Sequence, residues 1–328
     1  MSKVSHTTIF AGHEGVRQAH GVIQPYIRET GVERARSLES ATGEVWLKLE
    51  CQQVTGSFKV RGALHRLSAL SDREQSSGVI ACSSGNHGLG VAMASEVYGV
   101  ASTIFLPRTV DKARRRMFEE YSCVVRVSGE TYEECESCAR QAALETGSPF
   151  ISPYNDPWVL AGQGTIGIEL FRQVPHMDVV LVAVGGGGLV AGVAAYLKAV
   201  KPSLKVIGVS PANSAGMYDK VTGIGAEFAA HIETLSDSTA GSVEEGSITI
   251  DMCKALVDQW ILVEESDISA AMRYLFYEHR LVVEGAGALS VAAYLKERER
   301  LKDYTCALVL CGSNIDPTTF LQVVDMRG

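Results

Sequence analysis

The sequence predicts an α/β fold built on open, mainly parallel sheets. Short apolar runs alternate with amphipathic runs along almost all of the 328 residues. The apolar runs are continuous, as in strands covered on both faces. Glycine and small polar residues gather immediately after three of them, where an open α/β sheet holds its ligands.

Strands are expected at 45–49, 78–83, 102–106, 123–127, 150–152, 178–184, 205–209, 260–263 and 306–311. Helices are expected between most of them, at 86–98, 110–121, 131–145 and 189–200 among others. No internal repeat, low-complexity tract or Pro/Ser-rich linker breaks this alternation. The chain is long enough for one large domain or two moderate ones.

A formal charge of −8 argues against a dedicated nucleic-acid binder, which needs a basic face. The N-terminal stretch has no apolar h-region, and no run of about 18 apolar residues exists. A cytoplasmic protein with no membrane contact is therefore expected. Most of the eight cysteines sit in apolar runs and read as small hydrophobes. Cys135 and Cys138 form a CxxC, but no second Cys or His pair lies near, so they read as helix positions.

The first ligand loop candidate is Ser83-Ser84-Gly85-Asn86-His87-Gly88. Its small residues expose backbone, its hydroxyls and amide supply donors, and the following helix start favours an anion. Capping alone would need only one such residue. The second is Gly185-Gly186-Gly187-Gly188, followed by Leu189 and a helix. Four glycines give backbone N–H groups unobstructed access to a phosphate. The third, Cys311-Gly312-Ser313-Asn314, is weak by itself.

Lys59 completes the set. It lies at a helix start between Phe58 and Val60, behind the Gly56-Ser57 turn. Partial desolvation there would lower its pKa and prepare it as a nucleophile or base. The glycine loop technically satisfies a dinucleotide pattern, but that site also needs an acid about 20 residues on, at the next strand end. The next strand ends in Ser210, and no P-loop occurs. A phosphate cradle with an activated lysine and no nucleotide reader points to pyridoxal 5′-phosphate.

In order along the chain, Ser57-Phe58-Lys59-Val60-Arg61-Gly62-Ala63, Ser83-Ser84-Gly85-Asn86-His87, Ala161-Gly162-Gln163-Gly164-Thr165, the four-glycine loop, Glu284-Gly285-Ala286-Gly287-Ala288 and Cys311-Gly312-Ser313-Asn314 resemble fold-type II pyridoxal-phosphate enzymes. Within them the match is to the serine/threonine dehydratase and serine racemase family. The resemblance implies the tryptophan synthase β-like fold, with two open α/β domains. Residues 1–77 and 158–328 would form a large cofactor-binding domain, and 78–157 a small domain that moves on substrate binding.

It also implies roles. Lys59 would carry the cofactor aldehyde and move the substrate Cα proton. Phe58 would lie on the ring and Asn86 would bond its hydroxyl. Gly185 to Gly188 and the Leu189 N–H would hold the phosphate. Cys311 would face the pyridine nitrogen, where the family usually has serine, and Glu284 would lie near the ring. Ser83, Ser84, Asn86 and His87 would grip the substrate carboxylate. Ser84 also stands where racemases carry the second catalytic acid. The implied activity is β-elimination from serine, threonine or another 3-hydroxy amino acid, giving a 2-oxo acid and ammonia. A serine or aspartate racemase with side dehydratase activity is the alternative, and a non-catalytic cofactor-binding protein the third. A homodimer is implied.

Three departures stand out. By the same resemblance, Tyr132 stands where animal serine racemases have a substrate-binding arginine. Ser210 and Gly216 replace the acids of a divalent-cation site, so no metal is expected there. Glu244 and Glu245, in the loop 235–247, read either as solvated acids or as part of a site for a polar or bulky side chain. The chain ends about a dozen residues after its last motif, so no isoleucine-feedback domain is expected.

Overall fold

The computed structural model describes residues 12–110, 112–224 and 233–325. Two sheets organise them. The larger has six strands in the order β1 (Val32–Arg34), β2 (Val45–Lys48), β9 (Cys306–Val309), β6 (Val179–Ala183), β7 (Lys205–Pro211) and β8 (Gln259–Val263). The smaller pairs β3 (Val79–Cys82), β4 (Ser102–Leu106) and β5 (Val124–Val127). Every pairing is parallel except β1 on β2.

The apolar runs map well onto strands, with informative exceptions. β1 lies outside every apolar run: Val32-Glu33-Arg34 is short and polar, and pairs only at the sheet edge. The run at 150–152 makes one isolated bridge, Phe150 to Ile80, in place of a strand. β5 is a solvent-facing edge, with Val124 62% exposed, because an apolar run reports strand propensity and not position in the sheet. The helix expected at 110–121 shrinks to Lys112–Arg116. Four cationic positions within those five residues repel one another along so short a segment. The helices Asn86–Tyr98, Tyr132–Thr146 and Gly188–Val200 form as expected.

Strand order explains where the site lies. β6, β7 and β8 run outward in sequence, and then β9 returns to insert between β2 and β6. This reversal places the carboxyl ends of β9 and β6 side by side, at a topological switch point. Cys311 follows the first and Gly185 follows the second.

The helix Pro157–Gln173 is the spine of the structure. Glycines let it approach two neighbours at backbone distance. A Cβ on Gly162 would lie 2.5 Å from Arg61 O of the helix Lys59–Ser68. A Cβ on Gly164 would lie 2.7 Å from Gly192 O of the helix Gly188–Val200. The motif Ala161-Gly162-Gln163-Gly164-Thr165 is therefore a packing motif, and it sets the lysine helix and the glycine-loop helix on one support.

A fully buried charge network locks that support. Arg61 donates to Glu50 through Nε and Nη2, both 2.7 Å, and to Glu169 at 2.6 and 2.9 Å. Lys48 Nζ donates to Glu169 Oε2 at 2.6 Å, Thr30 O at 2.6 Å and Gln173 Oε1 at 3.0 Å. All four charged side chains have no solvent exposure. Two cations balance two anions, and the bidentate forks satisfy the guanidinium. Glu50 is held below the usual carboxylate range despite its burial, chiefly by the charge of Arg61 and its hydrogen bonds.

Removing one partner leaves an unpaired buried charge. Arg61→Met is therefore expected to cost about 3–5 kcal/mol, read as a lower urea midpoint at unchanged slope. An unchanged midpoint would show that the network does not hold the fold.

Candidate active site

Two strand-end loops are zipped together beside the switch point. Ser57 bridges Gly312 in antiparallel fashion, and Phe58 N donates to Cys311 O at 3.1 Å. Ser313 N donates to Gly56 O at 2.8 Å. Gly56 adopts φ +73°, a left-handed turn that also leaves room for Asn314. The zipper brings the first residue of the helix Lys59–Ser68 next to Cys311.

One cavity follows from this. Phe58, Lys59, Asn86, Gly185 to Gly188, Leu189, Glu284 and Cys311 all line it. Ser83, Ser84 and His87 are not among its lining residues, although they belong to the loop that delivers Asn86. The His87 imidazole is buried and its Nε2 donates to Ile151 O at 2.8 Å. Burial, aided by the charge of Lys59, pushes His87 down to about 3, so the ring is neutral. Its main-chain N–H at the helix start is what remains for an anion.

Lys59 Nζ donates to Pro153 O at 3.0 Å and lies 5.3 Å from the Phe58 ring centroid. Burial of the amine lowers its pKa to about 8, against an opposing pull from Cys311 and Glu284. Cys311 is held as a neutral thiol, because burial and then Glu284 push it well above its ordinary value. Glu284 is 2% exposed, and burial raises it to about 7, with Asp237 adding to the rise. Its Oε1 accepts from Asn86 Nδ2 at 2.7 Å, and its Oε2 from Ser238 Oγ at 2.9 Å. Asn86 Oδ1 accepts from Asn314 Nδ2 at 2.7 Å.

The chemistry of this cavity fits a phosphorylated carbonyl cofactor. The helices beginning at Lys59, Asn86, Gly188 and Gly285 have no side-chain cap. Ser71, Thr131, Asp156, Ser247 and Asp316 cap helices elsewhere. Uncapped N–H groups at the end of a glycine turn are anion donors. Gly187, at φ +83°, turns the chain into the 13-residue helix Gly188–Val200. The turn is braced from outside: a Cβ on Gly186 would meet the Tyr154 ring at 2.3 Å, and one on Gly185 would meet Thr239 Cα at 2.9 Å.

Tyr154, Ser238 and Thr239 also line the cavity, although no sequence motif marks them. Tyr154 follows the apolar run at 150–152, which bridges β3 only at Phe150. Ser238 and Thr239 lie in the same loop as the two glutamates at 244 and 245. Of these, Glu244 accepts from Asn155 Nδ2 at 2.9 Å and pairs with Arg140 at 3.4 Å. Its main-chain N–H donates to Tyr154 Oη at 2.9 Å, while Glu245 is exposed. Tyr132 Oη donates to Cys82 O at 3.5 Å. The Ser210 hydroxyl donates to Val184 O at 3.0 Å. In the CxxC, Cys135 is buried and Cys138 exposed on the helix Tyr132–Thr146. No helix among the described residues is long and apolar enough to cross a membrane.

Comparison with known proteins agrees with this geometry. The family model for pyridoxal-phosphate dependent enzymes matches residues 23–312. An L-threonine ammonia-lyase of Thermotoga maritima is 36% identical over 313 residues, covering 95% of this chain and 78% of that protein. The structure of a T.th. threonine deaminase superposes with a TM-score of 0.85 at 36% identity, covering 93% and 99% of the two chains. Maize serine racemase superposes with a TM-score of 0.88 at 30% identity, covering 95% and 96%. The chain belongs to the pyridoxal-phosphate dependent enzymes.

As the proposed cofactor lysine, Lys59 would attack the cofactor's carbonyl only as the neutral amine. With its pKa near 8, uptake of pyridoxal phosphate by cofactor-free protein is expected to quicken with pH and level off above about 8. Stopped-flow absorbance at several pH values checks this. A plateau already reached at pH 6, or one absent at pH 10, would contradict the stated ionisation.

Proposed function

We propose that this member of the pyridoxal-phosphate dependent family is an ammonia-lyase of 3-hydroxy amino acids, with L-threonine and L-serine as the first substrates to test. The products are a 2-oxo acid and ammonia. The observation that carries the reading is the pairing of a buried, low-pKa Lys59 with a neutral Cys311 thiol in one cavity ended by an uncapped glycine turn. The names of the T. maritima and T.th. relatives support the same activity.

Bound in this cavity, the cofactor supplies an electron sink that makes the Cα–H of an amino acid acidic. The main-chain N–H groups of Gly185 to Gly188 and Leu189 would hold its phosphate, and Phe58 would lie against its ring. Asn86, fixed by Glu284 and Asn314, presents its amide to the ring hydroxyl. Cys311 would face the pyridine nitrogen without a countercharge. A carboxylate there would favour a protonated ring, whereas a neutral thiol would not, and that would suit loss of the β-hydroxyl. Lys59, neutral at and above about pH 8, takes the Cα proton. Ser83, Ser84 and the N–H groups at the start of the Asn86 helix receive the substrate carboxylate.

The same reading divides the chain into a body of residues 1–77 and 158–328 and a lobe of 78–157 that closes over substrate. Polar contacts across the cavity support it: Asn86 with Glu284, Arg114 with Asp237, and Arg140 with Glu244. A cytoplasmic homodimer belongs to this reading through the family resemblance.

One observation favours a second activity. Among the described residues, no hydrogen-bond partner engages the half-buried Ser84 hydroxyl. A free hydroxyl there is available as a second proton donor, and maize serine racemase is a 30% identical structural relative.

The wild-type enzyme is expected to release ammonia and 2-oxo acid from a panel of 3-hydroxy amino acid stereoisomers. Lys59→Ala should lower turnover by at least about 10²–10⁴-fold. A loaded enzyme that turns over none of the panel would refute the lyase assignment. If racemisation accompanies elimination, Ser84→Ala should abolish it, by chiral chromatography, while ammonia release persists.

A further inference from the structure

Ser238 lies on the short turn Asp237–Thr239, outside every motif that pointed to the cofactor. The residue is exposed at the cavity mouth, yet its hydroxyl is engaged. Ser238 Oγ donates to Glu284 Oε2 at 2.9 Å, and Asn86 Nδ2, which holds Oε1 at 2.7 Å, reaches back to Ser238 Oγ at 3.4 Å. Asp237, the preceding residue, pairs with Arg114. Asn86 and Arg114 belong to the small-sheet side, and Asp237, Ser238 and Glu284 to the large-sheet side.

We propose that Ser238 is a positioning residue: its hydroxyl pins the outer carboxylate oxygen of Glu284 and ties the charge carried there to the Asp237–Arg114 contact across the cleft.

The hydrogen-bond inventory gives the reason. Asn86 Nδ2 is only a donor, so it serves a carboxylate oxygen and rejects a protonated one. Protonation of Glu284 is therefore best accommodated on Oε2, where Ser238 can turn from donor to acceptor or donate to Asp237 Oδ1 at 3.4 Å instead. Donors to the charged form favour it. Several groups face Glu284. Burial and Asp237 oppose its ionisation, while Ser238, Asn86 and Arg114 support it. Lys59 and the Cys311 thiol share its cavity, and the buried Cys51 thiol lies within its field. Glu284 in turn raises the Lys59 pKa. Loss of the Ser238 donor thus shifts two groups in opposite directions: Glu284 upward and Lys59 downward.

This inference rests on the cavity being the cofactor site only for its loaded readout. In cofactor-free protein with labelled glutamate, NMR titration of Ser238→Ala should raise the Glu284 midpoint by about one pH unit. Ser238→Thr should restore it. Arg114→Gln should also raise it, because Asp237 then stands uncompensated. In the loaded enzyme, the pH midpoint of the visible absorbance should move in the alanine variant and return in the threonine variant. These titrations need no turnover, so they stand even if the lyase assignment fails. A Glu284 midpoint unchanged in folded Ser238→Ala, as when water replaces the hydroxyl, would overturn the proposal. So would an unchanged midpoint in Arg114→Gln, or a failure of threonine to rescue.

Discussion

The place from which Lys59 works depends on Arg61, two residues further along the same helix. Its guanidinium bridges Glu50, which follows β2, and Glu169 on the spine helix. The helix start is thereby fixed to the large sheet and to the spine at once. An apolar contact would hold the helix at a similar distance, but it would not fix the rotation about the helix axis. Two bidentate forks do, because guanidinium and carboxylate planes must align. Desolvation of four charges offsets much of the gain. The network is thus better understood as setting register than as adding stability, and the register it sets is that of the Lys59 side chain.

At the cavity itself, burial sets the electrostatics. It pushes the amine of Lys59 down, the carboxyl of Glu284 up, the Cys311 thiol up and the His87 ring down. Each shift favours the neutral form. Near pH 7 Lys59 is still largely an ammonium and Glu284 is close to half ionised. A site with little net negative charge and open to anion-binding N–H groups therefore suits a phosphate dianion. For Glu284 two donors oppose the burial and hold it close to the balance between its forms.

Much of this was legible in the sequence. Continuously apolar runs located the parallel strands, and the loops after them supplied Asn86, the glycine turn and Cys311. Composition could not show which strands lie at edges, so polar β1 escaped and β5, expected as a strand, was not legible as an exposed edge. Nor does a loop motif tell side chain from main chain: His87 turns its ring to Ile151 O, and its residue type hides that. Ser238 was illegible for another reason. Its proposed function comes from meeting Glu284 and Asn86, residues 46 and 152 positions away. Only the fold creates that meeting.

The distribution of contacts also constrains any closure of the small lobe. Across the cavity the two sides meet through a few polar bonds to carboxylates, of which the ion pairs of Arg114 and Arg140 are partly exposed and worth at most about 1 kcal/mol each. Behind it, Val60, Leu64 and Leu67 of the Lys59 helix pack into the core that holds Val79, Leu89, Ile104 and Ile151 of the small-sheet side. The opposite face of that helix, through Arg61 and Gly62, is bound to the spine. In the closure proposed above, the helix that carries Lys59 would be the surface on which the lobe turns. A lobe hinged there can open the substrate path without moving Lys59 relative to Cys311 and the glycine turn. Binding and release can then be dynamic while the proton-transfer geometry stays fixed.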